Sequence, residues 1–150
     1  MPTSVEIPEI KIGNEIITTL IINKKFALHK DKLIGYIGYF YIEINLKTSL
    51  ITCHSFEEDF IKLNGVGVKQ MGDITESHIY YTIMTFPPQG YKGFSYDSVI
   101  ALNRDTFKID WHYAFEETGL GTNSPKIAGD KLYQLDLNQT LHIFEKENKQ

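Results

Sequence analysis

The chain has a single cysteine, Cys53, so no intrachain disulfide can form and packing must hold the fold. It has no apolar run of the ~20 residues that span a bilayer. The stretch Ile16 to Ile22 is far shorter, is interrupted by Thr18 and Thr19, and reads as a buried strand. The opening MPTSVEIPEIKIG lacks the basic start and continuous apolar core of a signal peptide, so a cytoplasmic address without a membrane partner is expected. An excess of positive charge is also lacking: the net charge of -4 argues against a nucleic-acid binder that relies on a broad basic surface, so no nucleic-acid partner is expected. There is no linker, no low-complexity segment and no convincing helical pattern.

What remains is ordinary for a folded domain and rich in strand-forming residues. At 150 residues, with 42% apolar and 23% charged side chains, the chain is one domain with enough length to bury a core. Nine Tyr and nine Phe beside many Ile, Thr and Val residues favour β structure.

One phrase is written twice. INLKTSLITCHSFEED, from Ile44 to Asp59, parallels LNRDTFKIDWHYAFEET, from Leu102 to Thr118. Setting Asn45 on Asn103 also matches Thr48 with Thr106, Ile51 with Ile109, Cys53 with Trp111 and His54 with His112. After one residue of slippage Phe56-Glu57-Glu58 falls on Phe115-Glu116-Glu117. Each copy reads as strand, turn, strand. In the second, Phe107, Ile109, Trp111 and Tyr113 alternate with polar residues, the period of a half-buried strand.

Each copy follows two more predicted strands. Phe26 to Leu28 and Leu33 to Ile37 precede the first, and Val66 to Val68 and Ile79 to Met84, joined around Gly72-Asp73, precede the second. A third unit begins with Pro125 to Ala128, Lys131 to Leu135 and Thr140 to Phe144. The expectation is an all-β chain of antiparallel, blade-like four-stranded repeats over 24–59, 65–118 and 123–146. Val5 to Ile12 or Ile16 to Ile22 could supply a missing fourth strand across the ends. The alternative is an antiparallel β-sandwich with two similar hairpins.

Ala101-Leu102-Asn103-Arg104-Asp105-Thr106, followed by Trp111, resembles the A-L-D-x-x-T-G-x-x-x-W blade motif of PQQ-like (quinoprotein-type) β-propeller repeats. Ser124 to Tyr133 resembles the stretch that opens the next blade in that family. The likeness runs well over Val99 to Phe144, more weakly over Leu33 to Phe56, and does not reach the first twenty residues. Phe107 and Ser49 replace the turn glycine, and Cys53 stands where the tryptophan would be. The resemblance implies a partial, roughly three-bladed propeller. Propellers close with about four to eight blades, so the chain either stays open or joins a second copy as a homodimer. An open edge needs blunting, a role that suits the lysines between Ile143 and Gln150. Quinoproteins hold their cofactor in a larger closed ring and carry a signal peptide, so no cofactor is carried over.

Enzyme chemistry is not supported by the residues. Cys53 and His54 are adjacent on a strand and point to opposite faces. The five histidines show no HxH or HExxH spacing, so no metal is expected. Gly65-Val66-Gly67 and Gly119-Leu120-Gly121 lack the third glycine and helix of a dinucleotide site, and no GK[ST] follows them.

The acids closing each phrase carry more. In an up-and-down blade the loops leaving the fourth strand share a face with those joining the second and third. That would put Glu57, Glu58 and Asp59, with Glu116 and Glu117, beside the insertion Phe86 to Ser98. Its Phe86, Tyr91, Phe94 and Tyr96 would sit against an acidic rim that includes Asp97. Hairpins need only two to five loop residues, and aromatic anchors inside a charged rim are the anatomy of a protein-binding patch. The expected function is a non-enzymatic protein-binding module for a basic protein partner. In general character the chain is similar to bacterial immunity proteins that inhibit a cognate toxin, such as a nuclease. A scaffold with propeller-like blades, or a fragment of a quinoprotein-type propeller, is the alternative.

Overall fold

The computed structural model describes residues 25–86, 96–116 and 118–145. Local hydrogen bonding at the turns explains why the phrase recurs. The Asn45 carboxamide oxygen accepts the amides of Lys47 and Thr48, and that of Asn103 accepts the amides of Asp105 and Thr106. Thr48 and Thr106 then each accept the amide two residues on, from Leu50 and Lys108. The next residue must be left-handed to close the loop: φ is 60° at Ser49 and 55° at Phe107. These are the positions at which the blade motif has glycine.

Such turns join strands into three antiparallel meanders. The first sheet is β1 (Phe26–His29), β2 (Lys32–Ile37), β3 (Phe40–Asn45) and β4 (Ile51–Ser55). A short helix, α1 (Glu57–Lys62), leads to the second: β5 (Gly65–Ile74), β6 (His78–Thr85), β7 (Asp97–Asn103) and β8 (Ile109–Phe115). The third has β9 (Lys126–Ala128), β10 (Lys131–Leu135) and β11 (Leu141–Glu145), with no fourth strand among the described residues. The protein is therefore all-β, built of blade-like sheets in sequence order.

The strands alternate, and the sheets bury what alternation supplies. Ile34, Tyr36 and Tyr41 of the first sheet, with Phe56 and Phe60, pack against Tyr81, Ile83, Ile100 and Leu102 of the second. The opposite face of the second sheet sets Val99 and Phe115, with Trp111, against Leu132 and Phe144 of the third. The far face of the first sheet buries Leu33, Ile42, Ile44 and Cys53 with Phe26. Each such side chain contributes roughly 1.5–3 kcal/mol. Gly35 is required there, because a Cβ would collide with the Lys25 carbonyl and the Phe26 ring. The first strands gather at the centre, β1 beside β5 and β5 beside β9. Lys25 donates to the carbonyls of Val68 and Lys69, and the Asp73 carboxylate accepts the amide of Ile127.

Several expectations change. Gly72 and Asp73 lie inside β5, and the β5–β6 turn falls at Thr75–Ser77. Gly72 stays small because a Cβ would collide with the carbonyl and ring of Pro125, which crosses it. The segment after Phe56 is a helix rather than a loop. Strand β8 does not present one continuous face. Leu102 pairs with Ile109 but Ala101 pairs with Trp111, so Asp110 is an extra, bulged residue. Below the bulge Ile109 faces the first sheet; above it Trp111, half-buried, faces the third. In the first sheet Glu43 pairs with Thr52 and Ile42 with Cys53. Thr52, not Cys53, is therefore the structural counterpart of Trp111, and His54 corresponds to Tyr113 rather than to His112.

Candidate functional site

The ten residues expected to form a partner face have different fates. Tyr91, Phe94 and Glu117 lie outside the described residues. Glu57, Glu58 and Asp59 form the first turn of α1, the first two exposed and Asp59 half-buried. Three acids at a helix N-terminus have a local reason to be there, since they oppose the positive end of the helix dipole. The amide of Glu57 also donates to the Ser55 hydroxyl at 3.3 Å. The helix docks through Phe60, which is buried against Tyr36 and Phe56.

Phe86 and Tyr96 are brought together. Both line an open cavity of about 400 Å³ whose wall also includes Lys62 and Leu63 at the end of α1, Asn64 and His112. Two backbone bonds fix its mouth: the Phe86 amide donates to the Asn64 carbonyl, and the Thr85 amide to the Tyr96 carbonyl, each at 2.8 Å. Phe86 is 66% exposed, a large apolar ring held at the edge of a sheet without being buried by it. Glu116 is exposed and leaves β8 at the same end, because Phe115 pairs with Asp97 beside Tyr96. The rise of α1 separates Glu57 from Lys62 by about 8 Å, and none of the acids is among the residues that line the cavity.

Asp97 is not on the rim. It is fully buried as the first residue of β7, where its Oδ2 accepts from Lys69 at 3.0 Å and from the Leu120 amide at 2.7 Å. It pins the 119–121 segment to the second sheet. Pairing at such a depth is what makes a buried carboxylate tolerable.

Cys53 is buried, and burial pushes its thiol above the ordinary range, which leaves it inert. Burial likewise lowers the pKa of His54, which packs edge-on against Phe56. Among the described residues no group of His, Cys, Asp or Glu is arranged to hold a metal ion, and no helix is long and apolar enough to cross a membrane.

Two polar networks escaped the sequence reading. The bulge at Asp110 aims its carboxylate at His78 Nε2, 2.7 Å away, and at the Asn103 amide, 3.0 Å away. His78 Nδ1 meets Ser77 Oγ at 2.8 Å. The Ser-His-Asp order is superficially that of a nucleophilic triad, but here it ties the exposed β5–β6 turn to β8. In the third sheet Asp136 accepts the amides of Asn138 and Thr140 and bonds His142 Nε2 at 2.8 Å. Burial alone would raise its pKa, yet the imidazole and the two amides together hold it below the ordinary carboxyl range. The first network hangs on the contact between His78 and Asp110, which are distant in sequence; the D-x-N-x-T spacing signals the second.

Compared with protein-family models, curated proteins and solved structures, the chain finds no match.

Proposed function

We propose that the chain is a non-enzymatic protein-binding module whose partner carries positive charge. The partner that fits best is a basic toxin domain, possessing the cationic groove that a nuclease needs for phosphates, so that the chain acts as a cytoplasmic immunity protein. The observation that carries this reading is the Phe86–Tyr96 cavity together with exposed acids on the elements that border it, Glu57 and Glu58 on α1 and Glu116 at the end of β8. Among the described residues Glu57, Glu58 and Glu116 form no ion pair, whereas Glu43, Glu76 and Glu145 each hold a lysine. Acids left unneutralised are free to steer a cationic partner and to select it. The cavity wall, with Lys62 and His112 among its residues, takes an apolar anchor from that partner rather than a cation. Exposed ion pairs supply only ~0–1 kcal/mol each, so tight binding needs the aromatic anchor as well as the acids.

Affinity capture from the native cell, read by mass spectrometry, tests the reading. A basic partner that is retained by the wild type and lost with Phe86→Ala and Tyr96→Ala supports it. An acidic partner, or capture indifferent to both substitutions, refutes it. A cofactor absorption band in the purified protein would instead favour a quinoprotein-type fragment. The scaffold alternative draws on the third sheet, whose outer face exposes Leu135, Leu141 and Ile143.

A further inference from the structure

The position filled by β4 in the first sheet and by β8 in the second is vacant in the third, among the described residues. Among the described residues, strand β11 therefore has no neighbour on its outer edge. Which of its backbone groups point outward follows from the ladder. The Asp136 amide donates to the Thr140 carbonyl at 3.0 Å, which makes that pair a bonded one. Bonded and non-bonded pairs alternate in an antiparallel ladder. Gln134–His142 and Leu132–Phe144 are then bonded, and Leu135–Leu141, Tyr133–Ile143 and Lys131–Glu145 are not. The Leu135 carbonyl confirms the phase, since it turns away from β11 to accept from Asn123 and Gln134. The amides and carbonyls of Leu141, Ile143 and Glu145 accordingly face the open edge.

We infer that β11 pairs with β11 of a second copy, antiparallel about a two-fold axis through Ile143, to make a continuous sheet across a homodimer. In that register Ile143 faces Ile143 of the second copy and Leu141 faces its Glu145. Every outward amide and carbonyl then meets a bonded partner, because these are the residues whose groups point outward. Side-chain chemistry agrees. Leu141 and Ile143, 52% and 53% exposed, lie on one face; Ile143 adjoins its own copy across the axis and Leu141 lies diagonal to it. The only charge within β11 is Glu145, and Lys131 neutralises it at 3.1 Å, so two copies approach without repulsion between like charges. An edge that is apolar and locally neutral fits its own copy better than it fits the cationic partner proposed above.

Sedimentation of the full chain across the micromolar range tests this. The wild type should sediment at twice 17.3 kDa. Ile143→Pro removes an outward amide without breaking a bond to β10, a substitution that an edge strand tolerates. It should give a monomer with unchanged circular dichroism. Should that variant fail to fold, Ile143→Lys keeps the backbone intact and should likewise give a monomer. A wild type that remains monomeric, or a dimer that persists in a folded Ile143 variant, overturns the inference. Neither result bears on the cavity lined by the end of α1 and the second sheet, which Phe86→Ala tests separately.

Discussion

The first and second sheets share a plan and differ at three places. Both are four-stranded meanders closed by the same asparagine turn, and both end on a buried phenylalanine, Phe56 or Phe115, opposite the start of the third strand. The second sheet adds a bulge at Asp110, buries an acid at Asp97 where the first has half-buried Tyr39, and is followed by no helix among the described residues. What the sheets share builds the stack. What differs makes the site: the helix delivers Lys62 and Leu63 to the cavity, and the bulge lets β8 turn Trp111 towards the third sheet while His112 lines the cavity wall.

This comparison can be broken most sharply at the shared phenylalanines. Phe56→Ala and Phe115→Ala should each cost about 3–5 kcal/mol in denaturant melts, because both rings are buried between sheets. A small loss at one of them would end their equivalence. Asp97→Ala should cost about 3 kcal/mol, towards the lower end for a broken buried pair because Lys69 can reach water. The corresponding Tyr39→Ala should cost about 1 kcal/mol, that ring being only half-buried. Trp111→Ala should cost about 2 kcal/mol, less than a full core residue, since the ring is half-buried against Phe144.

The left-handed turn residues separate the two copies by sign. Ser49→Gly relieves backbone strain at an exposed site and should stabilise by about 0.5 kcal/mol after the entropy of glycine is subtracted. Phe107→Gly relieves the same strain but loses a ring packed on Tyr41, His54 and Phe56. It should destabilise by about 1 kcal/mol, because ring burial outweighs the relief. Equal signs in thermal melts would mean that the Phe107 ring contributes nothing between the sheets. The smallest effect belongs to Asp136. Its folded pKa lies below the ordinary 3.8, so its contribution is present above that value and is lost as pH falls through the folded one. Asp136→Asn should therefore flatten the acid limb of stability below pH 3.8 and lower stability near neutrality.

The strand order and the asparagine turns were legible because they are written locally, whereas the β5–β6 turn lies at Thr75–Ser77 and not at Gly72-Asp73. Asn45 and Asn103 each bind amides within three residues, so spacing alone reveals them. The offset between copies was legible as a number but not as a place. One residue of slippage is a bulge, and only cross-strand pairing puts it at Asp110, ahead of Trp111. A six-residue helix is too short to show a period, and Glu57 to Asp59 read equally well as a loop. The burial of Asp97 depends on Lys69, 28 residues away, and no local pattern announces it. Within the expected face Phe86 and Tyr96 do share a cavity, Glu116 leaves the sheet beside them, and Asp97 turns inward.

The proposed function rests on acids acting together with that cavity. Titration of the captured partner against Glu57→Lys, Glu58→Lys, Glu116→Lys and Glu117→Lys combined, at rising salt, tests it most directly. The account predicts affinity at least tenfold weaker than wild type at low salt, a much reduced salt dependence, and a melting temperature lowered only slightly, by the lysines placed at the positive end of α1. Wild-type affinity with the same salt dependence in the combined variant would contradict it.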